Sequence, residues 1–216
     1  ARAVAVPSGR SGAEDAPAPP PRTPDGGTRL LFAGQVLAYK GVEDLLDALA
    51  DVPDDLDVSL EVVGRCPDPA LHNRLSALAA SSPHPVRLTL TRVDDARLAA
   101  LLEGADVVVL PFRRVTTSSS AVLALDHGRP LIVPDLPGLR DLPEDAVLRY
   151  GDDGLAAAIT VFARSDAEER DAMCAAARAH TPPSWDEIAE RTIAAIDAAR
   201  RARTPGTVTV GSGAAR

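Results

Sequence analysis

The stretch PFRRVTTSSSAVLALDHGRPLIVPD, residues 111–135, gathers two arginines, Arg113 and Arg114, and five consecutive hydroxyl residues from Thr116 to Ser120. It follows the apolar run Val107–Leu110 and leads into AVLALDH. If Val107 to Leu110 is a strand and Ser119 to His127 a helix, Thr116, Thr117, Ser118, Ser119 and Ser120 lie where backbone N–H groups have no partner of their own, and they offer those groups and their hydroxyls to an anion. Such a helix start attracts an anion by about 0.3–1 kcal/mol when exposed and up to about 2 kcal/mol when partly buried. An arginine adds two-pronged, charge-assisted bonds to a phosphate. Read from the residues alone, the hydroxyls either hold an anion or only cap the helix, with the arginines left in water.

A second segment, FAGQVLAYKGVEDLL, ends a strand at Gly34 and passes through Gln35 to Lys40 and Gly41 before a helix begins. Glycine allows close backbone approach, and lysine brings a compact positive charge suited to phosphate. One lysine between two glycines is a weak motif, since any strand-to-helix turn can look this way. GRCPDP adds Gly64 and Arg65 after the next strand, and DLPGLRDLP adds Gly138. Each also reads as an ordinary turn.

Other chemistries lack their residues. His72, His84, His127 and His180 are scattered without metal-ligand spacing. G-x-S-x-G, P-loop and G-x-G-x-x-G signatures are absent at strand ends, which removes the usual hydrolase, nucleotide-triphosphatase and dinucleotide readings. His127, next to Gly128, reads as the end of a helix rather than a base.

The elements that must position these residues follow from periodicity. Strand-length apolar runs RLLFAG, VSLEVVG, VRLTLT, DVVVLP and PLIVP alternate with helical patterns. Val42, Leu45, Leu46 and Leu49 fall at helical spacing, as do Leu71, Leu75 and Leu78, and Leu98, Leu101 and Leu102. Strands separated by crossover helices imply an α/β fold with a doubly wound, mostly parallel sheet flanked by helices. In such sheets ligands bind at the carboxyl ends of the strands. After Tyr150 the pattern becomes three helices, about 152–164, 166–180 and 184–203, the last with Ser184 and Glu187 at capping-box spacing.

The chain has 216 residues, 45% of them hydrophobic, enough for one large domain with tails. Residues 1–28 read as a Pro-rich connection, 29–203 as the folded domain and 204–216 as a flexible tail. A net charge of −8 argues against a nucleic-acid surface, which needs a broad basic stripe. Two cysteines, Cys66 and Cys174, give no disulfide framework, and neither a membrane span nor an export signal is visible. A cytoplasmic location follows as the expectation. The chain opens on Ala1 rather than Met, which suggests a trimmed sequence or one cut from a longer protein.

Taken in order, FAGQVLAYKGVEDLLDAL, LEVVGR, LLEGADVVVLPFR, ALDHGRPLIVPDLPGLRDLP and SWDEIAERT resemble the C-terminal, nucleotide-sugar-binding domain of a retaining glycosyltransferase of the GT-B fold, of the large family-4 type. The resemblance spans about residues 29–200, and VAVPSG resembles that family's interdomain connection. It implies a Rossmann-like half of an enzyme that transfers a hexosyl group from a nucleotide sugar to an acceptor in the cleft between two domains. The N-terminal acceptor domain would be the missing partner, as about 150–200 further residues upstream or as a separate chain, and any membrane association would belong to it.

Carried onto this sequence, the resemblance gives Lys40 the donor diphosphate and gives Thr116, Thr117, Ser118 and Ser119 its phosphate at the helix start. Gly34 shapes the approach, Arg113 assists, and Gln35 and Arg65 are further contacts. It implies no metal and no cofactor beyond the nucleotide-sugar substrate, and assigns no catalytic residue. Two departures stand out. Val115 and Leu123 occupy positions where many relatives carry glutamates, and Gln35 stands where many place arginine. A subset of relatives with Pro, an aromatic, Arg and a Thr-Ser run lies closer to this pattern. The competing reading is a nucleotide-sugar-binding or partner domain whose chemistry has been lost.

Overall fold

The computed structural model describes residues 27–151 and 154–180, together with a few helical positions between 189 and 197. The connection assigned to 1–28, apart from its last two residues, the capping box of Ser184 and Glu187, most of the helix assigned to 184–203, and the tail 204–216 lie outside the described residues. The chain divides into two units, Ala1–His180 and Thr181–Arg216, and the elements below all belong to the first.

Six parallel strands form one sheet in the order β3-β2-β1-β4-β5-β6. They are β1 (Thr28–Ala33), β2 (Val58–Val63), β3 (Val86–Thr89), β4 (Val107–Val109), β5 (Leu131–Pro134) and β6 (Val147–Tyr150). The helices are α1 (Val42–Ala50), α2 (Pro69–Ser81), α3 (Asp95–Gly104), α4 (Ser119–Asp126), α5 (Gly154–Arg164) and α6 (Ala167–Ala179). Five strands were expected from the apolar runs, and the sixth, β6, corrects that count. Its four residues include Arg149, and only Val147 is buried, because an edge strand needs no continuous apolar run.

The helical spacings describe real faces. Val42, Leu45, Leu46 and Leu49 are all buried on α1, as are Leu71 and Leu75 on α2 and Leu101 and Leu102 on α3. Each such side chain contributes about 1.5–3 kcal/mol by leaving water. The helix α1 packs against α2 and α5, while α4 packs against α6, giving a helical layer on each side of the sheet. Asp68 caps α2, Asp94 caps α3 and Asp166 closes a capping box with Glu169 on α6. His127 is the C-cap of α4 and Gly128 follows at φ +65°, the left-handed turn with which glycine commonly ends a helix.

One feature of the topology selects the site. The central neighbours β1 and β4 send their chains to opposite sides, β1 toward β2 and β4 toward β5. Such a switch point leaves a crevice at the carboxyl ends of the two strands, between the helix starts that follow them.

Candidate functional site

Both segments singled out for their chemistry end at this crevice. Past β1, Gly34 continues the ladder by donating to Val63 O at 3.0 Å, and Val36 N donates to Arg65 O at 2.9 Å. Gly64 and Cys66 extend β2 toward Thr89 and Leu90 in the same way. The ladder therefore sets Gly34, Gln35 and Arg65 along one edge, with the Gln35 and Arg65 side chains exposed. A Cβ added to Gly34 would lie 2.8 Å from Ser120 Oγ, so the bare glycine lets the start of α4 close against the end of β1.

The chain next forms a 3-10 turn, Ala38–Lys40, closed by Lys40 N on Leu37 O at 2.8 Å. Gly41 then adopts φ +72° and its N–H reaches Ala38 O at 3.3 Å, which launches α1. A Cβ at Gly41 would overlap the carbonyl oxygen of Pro111. The turn leaves Lys40 half-buried, its Nζ 4.7 Å from the centroid of the buried Phe112 ring and 5.8 Å from that of Tyr39. Burial lowers the Lys40 pKa. The ammonium has lost part of its hydration and would regain charge stabilisation from an anion.

From β4 the chain runs through Pro111 and Phe112 to α4. Ser118 is the N-cap, its hydroxyl accepting from Ala121 N at 3.1 Å. Thr116, Thr117 and Ser119 are exposed, and their hydroxyls make no hydrogen bond among the described residues. Capping thus occupies one of these four hydroxyls and leaves three facing solvent at the helix start. The loop around Gly138 closes the far side, since a Cβ there would meet Thr116 O at 2.7 Å.

The two arginines are placed differently from each other. The guanidinium of Arg113 grips Asp44 with two bonds, Nε to Oδ2 and Nη2 to Oδ1, both 2.7 Å. Arg114 lies 5.9 Å from the Tyr39 ring centroid. Asp44 escaped the sequence reading because it is 69 residues from Arg113 and has no motif of its own. Tyr39 escaped it too, whereas Ser120 belongs to the hydroxyl run read from the sequence and lies against Gly34.

Arg113 and Asp44 also line a cleft of about 520 Å³, together with Asp47, Asp51, Phe112 and Tyr150. Burial, with a contribution from Asp44, pushes the Tyr150 phenol up. Neither Lys40 nor the hydroxyl run lines this cleft. Val115 and Leu123, at the positions of the absent glutamates, are partly buried and pack against the core. Among the described residues no helix is long and apolar enough to cross a membrane.

Comparison with known proteins gives a consistent picture. Residues 27–173 match the family model described as glycosyl transferases group 1. The chain is 34% identical over 106 residues to a GDP-mannose:glycolipid 4-beta-D-mannosyltransferase of Xanthomonas campestris pv. campestris, covering 49% of this chain and 30% of the relative. It is also 34% identical over 167 residues to a D-inositol 3-phosphate glycosyltransferase of Xylanimonas cellulosilytica, covering 74% of this chain and 40% of the relative. The chain therefore spans less than half the length of these curated relatives.

Among solved structures, WaaG, a glycosyltransferase involved in lipopolysaccharide biosynthesis, aligns with TM-score 0.60 at 19% identity, over 80% of this chain and 47% of WaaG. The catalytic domain of cholesterol-alpha-glucosyltransferase from Helicobacter pylori aligns with TM-score 0.58 at 18% identity, over 70% of this chain and 94% of that one. At such identities these two matches speak for the fold. With the family model covering most of its length, the chain belongs to the glycosyl transferases group 1 family and has the fold of a GT-B C-terminal domain.

Proposed function

We propose that this chain is the donor-binding part of an enzyme that transfers a hexosyl group from a nucleotide sugar to an acceptor. One observation carries the proposal: at the switch point between β1 and β4, the turn bearing the half-buried Lys40 packs on Phe112 after β4, and Gly34 lets the hydroxyl-rich start of α4 lie against the end of β1. In this reading Lys40 and the amides and hydroxyls of Thr116, Thr117 and Ser119 receive the diphosphate, and Ser118 holds the helix start in shape. Gly34 lets the start of α4 draw up to the end of β1, and Gln35 and Arg65 lie further along the same edge. Transfer breaks the bond between the sugar and the diphosphate, and negative charge grows on the departing phosphate. Donors already aimed at that charge stabilise it without reorganising.

Residues 29–203 would form the donor-binding domain, and the acceptor would be held by a second domain, in the same polypeptide or a partner chain. The proposed reaction uses no metal, so added chelator should leave transfer unchanged. Retention of configuration is proposed from family resemblance alone. The anomeric proton of the product, compared with that of the donor by NMR, decides it, and an inverted linkage overturns it. The transferase names of the Xanthomonas and Xylanimonas relatives support sugar transfer over a non-catalytic binding role.

The test is calorimetric titration of the chain with UDP, GDP, ADP and dTDP, beside a Lys40→Ala, Thr117→Ala double variant. One nucleotide is expected to bind selectively. A charge-assisted contact is worth about 1.5–3 kcal/mol, so the variant should bind it roughly ten- to hundredfold more weakly. Equal binding by the variant, or no binding by the parent chain at millimolar nucleotide, removes the support for this reading.

A further inference from the structure

We infer that Arg113 is a positioning residue: its two-bonded pair with Asp44 fastens the loop after β4 to the start of α1 and so fixes Lys40 relative to the hydroxyl-bearing start of α4. The inference rests on the donor-site reading above and changes the part Arg113 plays in it, from diphosphate ligand to brace.

The sheet cannot supply this alignment by itself. Between β1 and β4 the register covers only Leu30 with Val107 and Leu31 with Val108, so their ladder stops well short of Gly34 and Pro111. Beyond it, the two chains are joined by a row of specific contacts. Pro111 O sits against Gly41, Phe112 lies under Lys40 Nζ at 4.7 Å, Arg113 N donates to Tyr39 O at 3.0 Å, and Arg114 lies over the Tyr39 ring. The side chain of Arg113 closes this row on Asp44, with both oxygens of the carboxylate matched to both donors of the fork at 2.7 Å. A planar fork–carboxylate pair fixes orientation as well as distance. It also cancels a carboxylate in the first turn of α1 that would otherwise set negative charge beside an anion site.

The pair is suited to a clean test. Its side chains are 47% and 46% exposed, and exposed ion pairs contribute only about 0–1 kcal/mol to stability, so breaking it leaves the fold in place. The variants are Arg113→Ala, Asp44→Asn and the charge exchange Asp44→Arg with Arg113→Asp. Arg74→Ala is the control, because Arg74 makes a similar 2.7 Å contact to Glu43 on the same helix without reaching the loop.

Two measurements are made on each. Hydrogen–deuterium exchange on the unliganded chain reads the fastening, and calorimetry with UDP, GDP, ADP and dTDP reads the site. Each single variant should raise exchange over residues 39–41 and 112–118 together and weaken the nucleotide that binds by about three- to tenfold, a coupling typical of contacting residues. The charge exchange should restore both, and Arg74→Ala should change neither. A direct ligand behaves oppositely: Asp44→Asn would leave affinity unchanged or improve it, and Asp at position 113 would repel the nucleotide. That result, or exchange rising in one segment alone, overturns the inference. If no nucleotide binds the parent chain, the donor-site reading fails by itself, and the exchange data still decide whether the pair fastens the two segments.

Discussion

Replacing Gly41 with alanine should damage the protein more than a turn glycine ordinarily would, and a companion variant shows how much more. Two costs combine at this position. Gly41 is held at φ +72°, where an L side chain costs roughly 1–2 kcal/mol. In addition, the new Cβ would overlap the backbone carbonyl of Pro111 and come within 3.2 Å of Asp44 Oδ2. A carbonyl on the main chain cannot swing aside as a side-chain end can. Relief therefore requires a backbone shift, typically about 1–3 kcal/mol. The total is about 2–5 kcal/mol. Gly154 isolates the first cost, because it has φ +82° but open space around an added Cβ, so Gly154→Ala should lose only about 1–2 kcal/mol. Urea unfolding followed by circular dichroism measures both; with a slope of about 2 kcal/mol per molar, Gly41→Ala should lower the midpoint by about 1–2.5 M. If Gly41→Ala falls no further than Gly154→Ala, the close approach of Pro111 to Gly41 is wrong, and with it the placement of the loop that follows β4.

The site residues yield two more expectations. Ser118→Ala removes the N-cap of α4 and should cost about 0.5–2 kcal/mol of stability, whereas exposed Thr117→Ala should stay within about 0.5 kcal/mol and yet weaken nucleotide binding; equal stability losses would mean the hydroxyl run only caps the helix. Burial lowers the pKa of Lys40, so the folded state is penalised while the lysine is charged; that penalty is full below the lowered value and fades as pH rises from it to the ordinary lysine value of the unfolded chain. Binding has the opposite dependence: a diphosphate needs the ammonium, so affinity should fall as pH rises through the same range, with proton uptake measured as a buffer-dependent heat. Lys40→Arg should flatten that profile, and an unchanged slope would separate the pH dependence from residue 40.

The parts of the molecule that were legible in the sequence are those fixed by local periodicity. The apolar spacing of Val42, Leu45, Leu46 and Leu49 describes the buried face of α1 because a helix repeats its own geometry. Five apolar runs likewise mark strands, four of them largely buried and the fifth, β3, at the opposite edge of the sheet, legible through its alternating Val86 and Leu88. The short β6 was not legible, since its four residues, VLRY, carry Arg149 in place of an apolar run or a clean alternation. Pairings across long separations were hidden for a different reason. The charge of Arg113 said that an anion belonged nearby, and nothing local distinguished a phosphate from the carboxylate of Asp44. The hydroxyl run had the same ambiguity, and the fold divides it: Ser118 caps, while Thr116, Thr117 and Ser119 remain available.

The replaced acids bear on how the donor would be recognised. Val115 and Leu123 do not leave vacancies into which a carboxylate could simply be restored; both pack against the core, and an acid at either site would lose hydration without a partner to compensate. The polar groups that this chain does present, Lys40 and the start of α4, are suited to the diphosphate rather than to sugar hydroxyls. Donor affinity for this chain should then reside in the nucleoside diphosphate. A nucleotide and its hexose conjugate are expected to bind within a fewfold of each other, with sugar discrimination coming from the acceptor-side half. Paired titrations of GDP against GDP-mannose and UDP against UDP-glucose measure the difference directly. A conjugate bound more than about tenfold tighter, roughly 1.4 kcal/mol, would require sugar contacts from this chain and would return the search to the cleft that the Arg113–Asp44 pair itself lines, where Asp47 and Asp51 offer the carboxylates that positions 115 and 123 lack.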